Sequence, residues 1–343
     1  MLKIKIFNLL ICFVGSVALV IILFLISSYK TNHFGFIRIL PSHLIDGVNS
    51  KDLKHNSWYL SGIHNHELFL ANSLVIKKVL KIDTNLVDTV GLTVTGLEKS
   101  RLFQGSIFTT DNEVIWIMDG LKPSILKGGL PHLRFEKFFK TSFFTGSIPL
   151  TENSIALRYI NEKGVSVLAK EFLNTNVLKT TDLLEKQIDG IFCTDGEIVK
   201  VQGSSKMIYV YYYRNQFLCT DSNLNLLYKG KTIDTISRAQ IKVAKIASTG
   251  ETTMAAPPLH VNKRACANEK YLFVQSSLRA NNETEYMIKD VSMIDVYAVA
   301  DGKYQFSFYL PDFRGFKVRD FKVYGQSLYA LYDHYLYKYQ LNF

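Results

Sequence analysis

Cysteine is scarce, with 4 in 343 residues, and one of these, Cys12, lies inside an uncharged apolar run. No C-x-x-C pair and no His/Cys cluster occurs, which removes the zinc-ribbon and dithiol-redox classes. The other three, Cys193, Cys219 and Cys266, are the only ones placed for a disulfide, and their spacing does not choose whether one forms. Blocks of five or six like charges are also missing, as is any Arg/Lys-rich helical face. The formal net charge of +10 is therefore spread thinly, and nucleic-acid binding is excluded as a reading. Removing Lys3 and Lys5, which precede the apolar run, leaves about +8 on the rest, the mild excess of a domain kept soluble by scattered lysines. There is no Gly-rich phosphate loop, G-x-S-x-G elbow, H-E-x-x-H helix or EF-hand loop. Catalysis, if present, would have to be assembled from residues far apart in the chain.

Aromatic and apolar residues are abundant: 23 Phe, 19 Tyr and 48% hydrophobic content against 2 Trp. Such a chain can bury a large core, and Tyr and Phe favour strands. The most legible stretch is Lys206–Asp234. Side chains alternate along a strand, so Tyr209, Tyr211 and Tyr213 share one face and Ile208, Val210 and Tyr212 the other. With both faces apolar, the strand is expected to be covered on both sides, and its tyrosines to be core between neighbouring sheets.

Leu9–Ser27 is a run of 19 residues without a charge, about the length a helix needs to cross a bilayer. Its length, beyond the usual signal-peptide apolar region, and the want of a clear small-x-small cleavage site favour an uncleaved signal anchor over a signal peptide. Lys3 and Lys5 before the run place the short tail, residues 1–8, in the cytoplasm, and residues 28–343 as an extracytoplasmic or periplasmic domain.

Beyond Phe34 the apolar residues come in short runs separated by Asn, Asp, Gly and Ser. Units centred near Trp58, Phe103, Phe143, Tyr211, Val274 and Phe316 repeat roughly every 40 to 50 residues, the period of propeller blades. The expected fold is all-β, a propeller of six blades, with seven as the alternative, preceded by one transmembrane helix. The last unit is short of a strand, and Phe34–Leu40 is expected to supply it, pairing first and last blades so that no long edge stays open. Asp111, Asp195 and Asp221 each follow a strand ending in Thr and read as turn formers in equivalent hairpins. By the same likeness Cys193 and Cys219 would hold equivalent places in neighbouring repeats. The longest irregular region, 236–270, contains a Pro/Gly-bearing exposed loop over 248–265. Its polar reach, His260, Lys263 and Arg264, is the candidate binding surface. His64 and His66 form an H-x-H, but without a third ligand they read as a polar turn. Asn282-Glu283-Thr284 matches a glycosylation sequon.

The N-terminal anchor together with YLSGI...LFLAN, YYYRNQFLCTDSNLNLLYKGKTIDTIS and IDVYAV...YQFSFYLPDF...DFKVYGQSLYAL resembles uncharacterised Gram-negative bacterial proteins regarded as six-bladed β-propeller-like. The resemblance spans most of residues 28–343 and implies the fold. It carries no catalytic residue, since that family has none assigned. Six-bladed propellers at large include both calcium-dependent lactonases and binding modules. The missing motifs favour a non-enzymatic, membrane-tethered module in the cell envelope that binds an envelope protein or glycan, with no cofactor. The alternative is a lactonase-like propeller hydrolase holding a divalent cation at the central channel.

Overall fold

The computed structural model describes residues 2–32, 35–97, 105–130 and 132–343, and within its N-terminal helix the side chains of 8 and 10–25. That helix, α1 (Leu2–Asn32), is continuous through the expected tail. Among the described residues no helix is long and apolar enough to cross a membrane. The side chains of Leu9, Ile26 and Ser27, which belong to the expected span, lie outside those described. The transmembrane expectation is therefore not carried by the structure, although Leu10, Phe13, Val20 and Phe24 of α1 stand exposed.

Short apolar runs between turn residues form strands here because each strand is covered on two faces by its neighbours. After β1 (Ile45–Asp52), blade 1 comprises β2 (Trp58–His64), β3 (Glu67–Asn72), β4 (Lys78–Asp83) and β5 (Thr89–Thr93). Blade 2 holds β6 (Ile107–Asp111), β7 (Val114–Asp119), β8 (Ser124–Gly129) and β9 (Arg134–Lys140). Phe103, expected near the centre of this unit, lies outside the described residues. Blade 3 is β10 (Phe144–Thr151), β11 (Ser154–Ile160), β12 (Ser166–Phe172) and β13 (Val177–Thr181). Blade 4 is β14 (Gly196–Lys200), β15 (Met207–Tyr211), β16 (Phe217–Thr220) and β17 (Leu226–Gly230). A separate hairpin, β18 (Val243–Lys245) with β19 (Thr252–Met254), precedes blade 5. Blade 5 contains β20 (Asn262–Ala267), β21 (Tyr271–Ser276), a one-turn helix α2 (Glu285–Ile288), β22 (Val291–Ala298) and β23 (Tyr304–Pro311). Blade 6 supplies β24 (Val318–Tyr324), β25 (Ser327–Tyr332) and β26 (Tyr335–Leu341). All pairings within the blades are antiparallel.

The fourth strand of blade 6 is β1, which pairs antiparallel with β26 from Ile45↔Leu341 to Asp52↔Tyr335. The ring is closed by β1 and not by the expected Phe34–Leu40, of which Phe34 lies outside the described residues. Residues 36–40 form no strand. They lie as a strap against blade 5, where the Arg38 amide donates to Asn282 Oδ1 (3.0 Å) and Asn282 Nδ2 donates to the Arg38 carbonyl (2.9 Å). The sequon asparagine thus has its amide committed to the strap.

The core is divided between blades. Each of six apolar clusters joins two consecutive blades, and blades 6 and 1 meet through Tyr329, Leu331 and Leu336 against Trp58, Leu60 and Leu68. The aromatic strand β15 shows the principle. Met207, Tyr209 and Tyr211 pack toward Leu150, Ala156 and Leu168 of blade 3, while Ile208 and Val210 pack toward Ala265, Leu272 and Val274 of blade 5. All five are buried. Each such side chain contributes about 1.5–3 kcal/mol by leaving water, so the alternation read from sequence fixes both interfaces at once.

Two likenesses in the sequence do not correspond to equivalent places. Asp111 ends the first strand of blade 2, Asp221 follows the third strand of blade 4, and Asp195 precedes blade 4 outside any hairpin. Cys193 likewise belongs to the segment before β14, and Cys219 to β16. Cys193, Cys219 and Cys266 are buried and free.

Candidate functional site

The first strand of each blade is the inner one, and β2, β6, β10, β14, β20 and β24 surround a central channel of about 1000 Å³. That volume is at the upper end of the range for small-ligand sites. Gly62, at a bulge in β2, lets the wall close up: a Cβ there would sit 2.2 Å from the Thr110 carbonyl oxygen of β6.

The channel has two unlike halves. Blades 1 and 3 contribute uncharged lining such as Tyr59, Ser61, Ile63, Ser147 and Ile148, and blade 2 contributes Thr109, Thr110 and a single acid, Asp111. Blades 4, 5 and 6 contribute Glu197, Lys200, Arg264, Asp320 and Lys322. Lys200 is neutralised across the channel by Asp111, with Nζ 2.6 Å from Oδ2. Glu197 accepts a hydrogen bond from the Ala265 amide at 2.8 Å. Arg264 lies 4.0 Å from Glu197, too far for a hydrogen bond, and 49% of its side chain is exposed. Asp320 and Lys322 alternate with the buried Phe321 and Val323 along β24, which turns both polar side chains to the channel.

Electrostatics keep the two cations charged. Burial acts to lower Lys322, but the attraction of Asp320 and then Glu197 outweighs it, and the ammonium is held above its ordinary value. Burial also opposes the Arg264 guanidinium, and Glu197 and Asp320 raise it all the same. Burial pushes Glu197 above the usual carboxylate range despite Lys322 and Arg264. The Cys266 thiol is pushed up to about 12 by burial, which leaves no thiolate for nucleophilic work. Tyr212 is raised by burial and then by Glu197, so its phenol stays protonated and able to donate.

The candidate residues read from sequence are distributed rather than gathered on one exposed loop. Arg264 belongs to β20 and faces the channel. Lys263 is exposed beside it. His260 is instead packed against Tyr213, with ring centroids 5.0 Å apart, and burial followed by Lys263 holds it below its ordinary value. The expected loop over 248–265 contains β19, and Val261 and Asn262 are buried beneath blade 4, Asn262 Nδ2 donating to the Tyr211 carbonyl at 2.8 Å. Glu197, Asp320 and Lys322 were not singled out from sequence. The available signal was the alternation of charge with apolar residues in a first strand.

His64 ends β2 and His66 lies in the turn that follows, where Asn65 and His66 take positive φ, at the rim of a second depression. Glu113 and Glu152 share that rim. Among the described residues no group of three or more His, Cys, Asp or Glu is placed to hold a metal ion.

No family model matches this chain, and no curated protein matches it. Solved structures do. A member of the DUF4221 family from Bacteroides vulgatus superposes with a TM-score of 0.53 at 10% identity, covering 88% of this chain and 99% of that one. A Bacteroides fragilis protein described as exported superposes with a TM-score of 0.50 at 10% identity, covering 90% and 95%. At these identities the likeness is one of fold: this chain is a six-bladed β-propeller.

Proposed function

We propose that this protein is a non-catalytic binding module of the cell envelope, held to the membrane by α1, with its ligand site in the central channel. The observation that supports the site most strongly is the mismatch inside the channel. The charges of blades 4, 5 and 6 are incompletely paired, while the lining across from them is almost uncharged. A cavity with a few convergent polar groups and an apolar remainder is the usual form of a small-ligand site. The tether rests on the uncharged run Leu9–Ser27 and on the preceding lysines, which favour a cytoplasmic N-terminus and an extracytoplasmic propeller.

Two experiments test this reading. Full-length protein in detergent is screened by thermal shift against envelope-derived glycans and peptides, in parallel with a Ser147→Trp variant that fills the channel. A ligand that stabilises the parent but not the filled variant is the expected result. Ligands acting equally on both, or metal-dependent turnover of lactones or phosphoesters by the purified protein, would overturn it. Alkaline carbonate extraction tests the tether, which requires the chain to stay in the membrane pellet, and release into the supernatant would refute that part.

A further inference from the structure

The channel's own chemistry narrows the ligand class, on the reading that the channel is a binding site. We propose that it takes an acidic oligosaccharide, with a uronate carboxylate at Arg264 and Lys322 and the sugar hydroxyls against the wall of blades 1 to 3. Arg264 is half-exposed, and its nearest carboxylate contact is 4.0 Å away. Among the described residues Lys322 is attracted by Asp320 and Glu197, yet makes neither a hydrogen bond nor an ion pair. The two cations also repel one another, so an anion placed between them relieves that repulsion as well as filling their open donor positions. The planar guanidinium fork is suited to a carboxylate, to which it can donate two parallel bonds.

The charge of the cluster selects a monoanionic group over a phosphate. Asp320 and Glu197 share the site, and a dianion would be repelled by both. A single carboxylate faces less repulsion from that pair. The rest of the ligand must then suit a wall without charge on blades 1 and 3. Ser147 Oγ is buried there without a hydrogen-bond partner among the described residues. The Ser61 and Thr110 hydroxyls, 3.2 Å apart, form a polar pair on the same side. Hydroxyl groups that both donate and accept match the hydroxyls of a sugar, whereas a charged peptide side chain would find no counter-ion on blades 1 and 3.

The test is calorimetric titration of the full-length protein in detergent with trigalacturonate, its methyl ester and inorganic phosphate, for the parent and for Arg264→Gln and Lys322→Met. Trigalacturonate is expected to bind, its methyl ester at least about tenfold more weakly, and each variant to lose about tenfold, equivalent to about 1.4 kcal/mol. Melting temperatures of the variants, with Lys322→Gln as a second replacement, separate loss of the site from loss of the fold. Equal binding of the ester, or unchanged affinity in folded variants, would overturn the proposal. So would phosphate binding as tightly as the uronate, which would mark only a general anion site. If neither sugar binds while another ligand from the screen is lost in the Ser147→Trp variant, the acidic-sugar assignment fails and the channel reading stands. If nothing is channel-dependent, both fail.

Discussion

Two clusters of charge in this propeller use the same side-chain chemistry to opposite ends. In the strap, Arg38 (2% exposed) meets Glu283 and Asp295. Its Nη1 donates to Glu283 at 2.5 Å, Nε to Asp295 at 2.8 Å and Nη2 to the Leu278 carbonyl at 3.1 Å. The acids are satisfied in turn: Ser307 Oγ donates to Asp295 at 2.6 Å, and Tyr309 and the Ala280 amide donate to Glu283, both at 2.7 Å. In the channel, Arg264 and Lys322 face Glu197 and Asp320 with donors left open and solvent within reach. Saturated, dry charge acts as a structural clasp between the N-terminal segment and blade 5. Unsaturated, wet charge is what a ligand can complete.

The largest test of this contrast is Arg38→Met. Breaking a buried ion network from one side strands the partner charges, and a loss of about 3–5 kcal/mol in denaturant unfolding is expected, with channel affinity unchanged. A variant melting like the parent would show that the strap is not a clasp. Ser307→Ala removes one donor to a buried carboxylate and should cost about 1–3 kcal/mol, again without touching the channel. In the channel itself the ordering reverses. Lys322→Met should destabilise less than Arg38→Met, because this ammonium makes no hydrogen bond or ion pair among the described residues, yet lower ligand affinity about tenfold. A large drop in its melting temperature would place this lysine with the strap instead.

The smallest effect is a pH dependence. Glu197 is held above its ordinary value in the fold, so the native state retains its proton over a pH range where the unfolded chain has lost it. Its contribution is therefore full below the unfolded value and is lost as pH rises through the folded one. Glu197→Gln should flatten the melting-temperature profile in that window while leaving the profile below it unchanged. Lys322, Arg264, Asp320, Tyr212 and Cys266 surround this carboxylate in the fold. An identical profile in the variant would mean that these neighbours, not Glu197, set the curve.

Much of the architecture could be read before the fold was known. The six units and the two covered faces of β15 follow from period-two alternation of apolar residues, which survives because every such strand is sandwiched by neighbours. The closing strand could not be read. Residues of β1, Ile45-Asp46-Gly47-Val48-Asn49-Ser50-Lys51-Asp52, are almost all exposed at the outer edge of blade 6, so nothing demands an apolar face and the stretch resembles a loop. Phe34–Leu40 showed the opposite deception. Its apolar residues suggest a strand, but Phe36 is buried with Val261, Leu278 and Ala280 while Ile37 and Ile39 stay exposed, and Arg38 is drawn inward by the two acids. The Thr-Asp repeats misled for a related reason: Asp stabilises turns of several kinds, and local likeness carries no information about strand number.

By itself the sequence determined the all-β class, the repeat, the core faces and the apolar N-terminal run, because each is written in residues close together in the chain. Only the tertiary structure decided which segment closes the ring and which charges meet. Glu197, Arg264 and Lys322 come from three different blades, and only closure of the ring gathers them around one axis. Arg38 finds Glu283 and Asp295 more than two hundred residues away. No local pattern encodes such distances. Whether a charge there becomes a clasp or an open site depends on how many of its hydrogen-bond positions the surrounding blades fill.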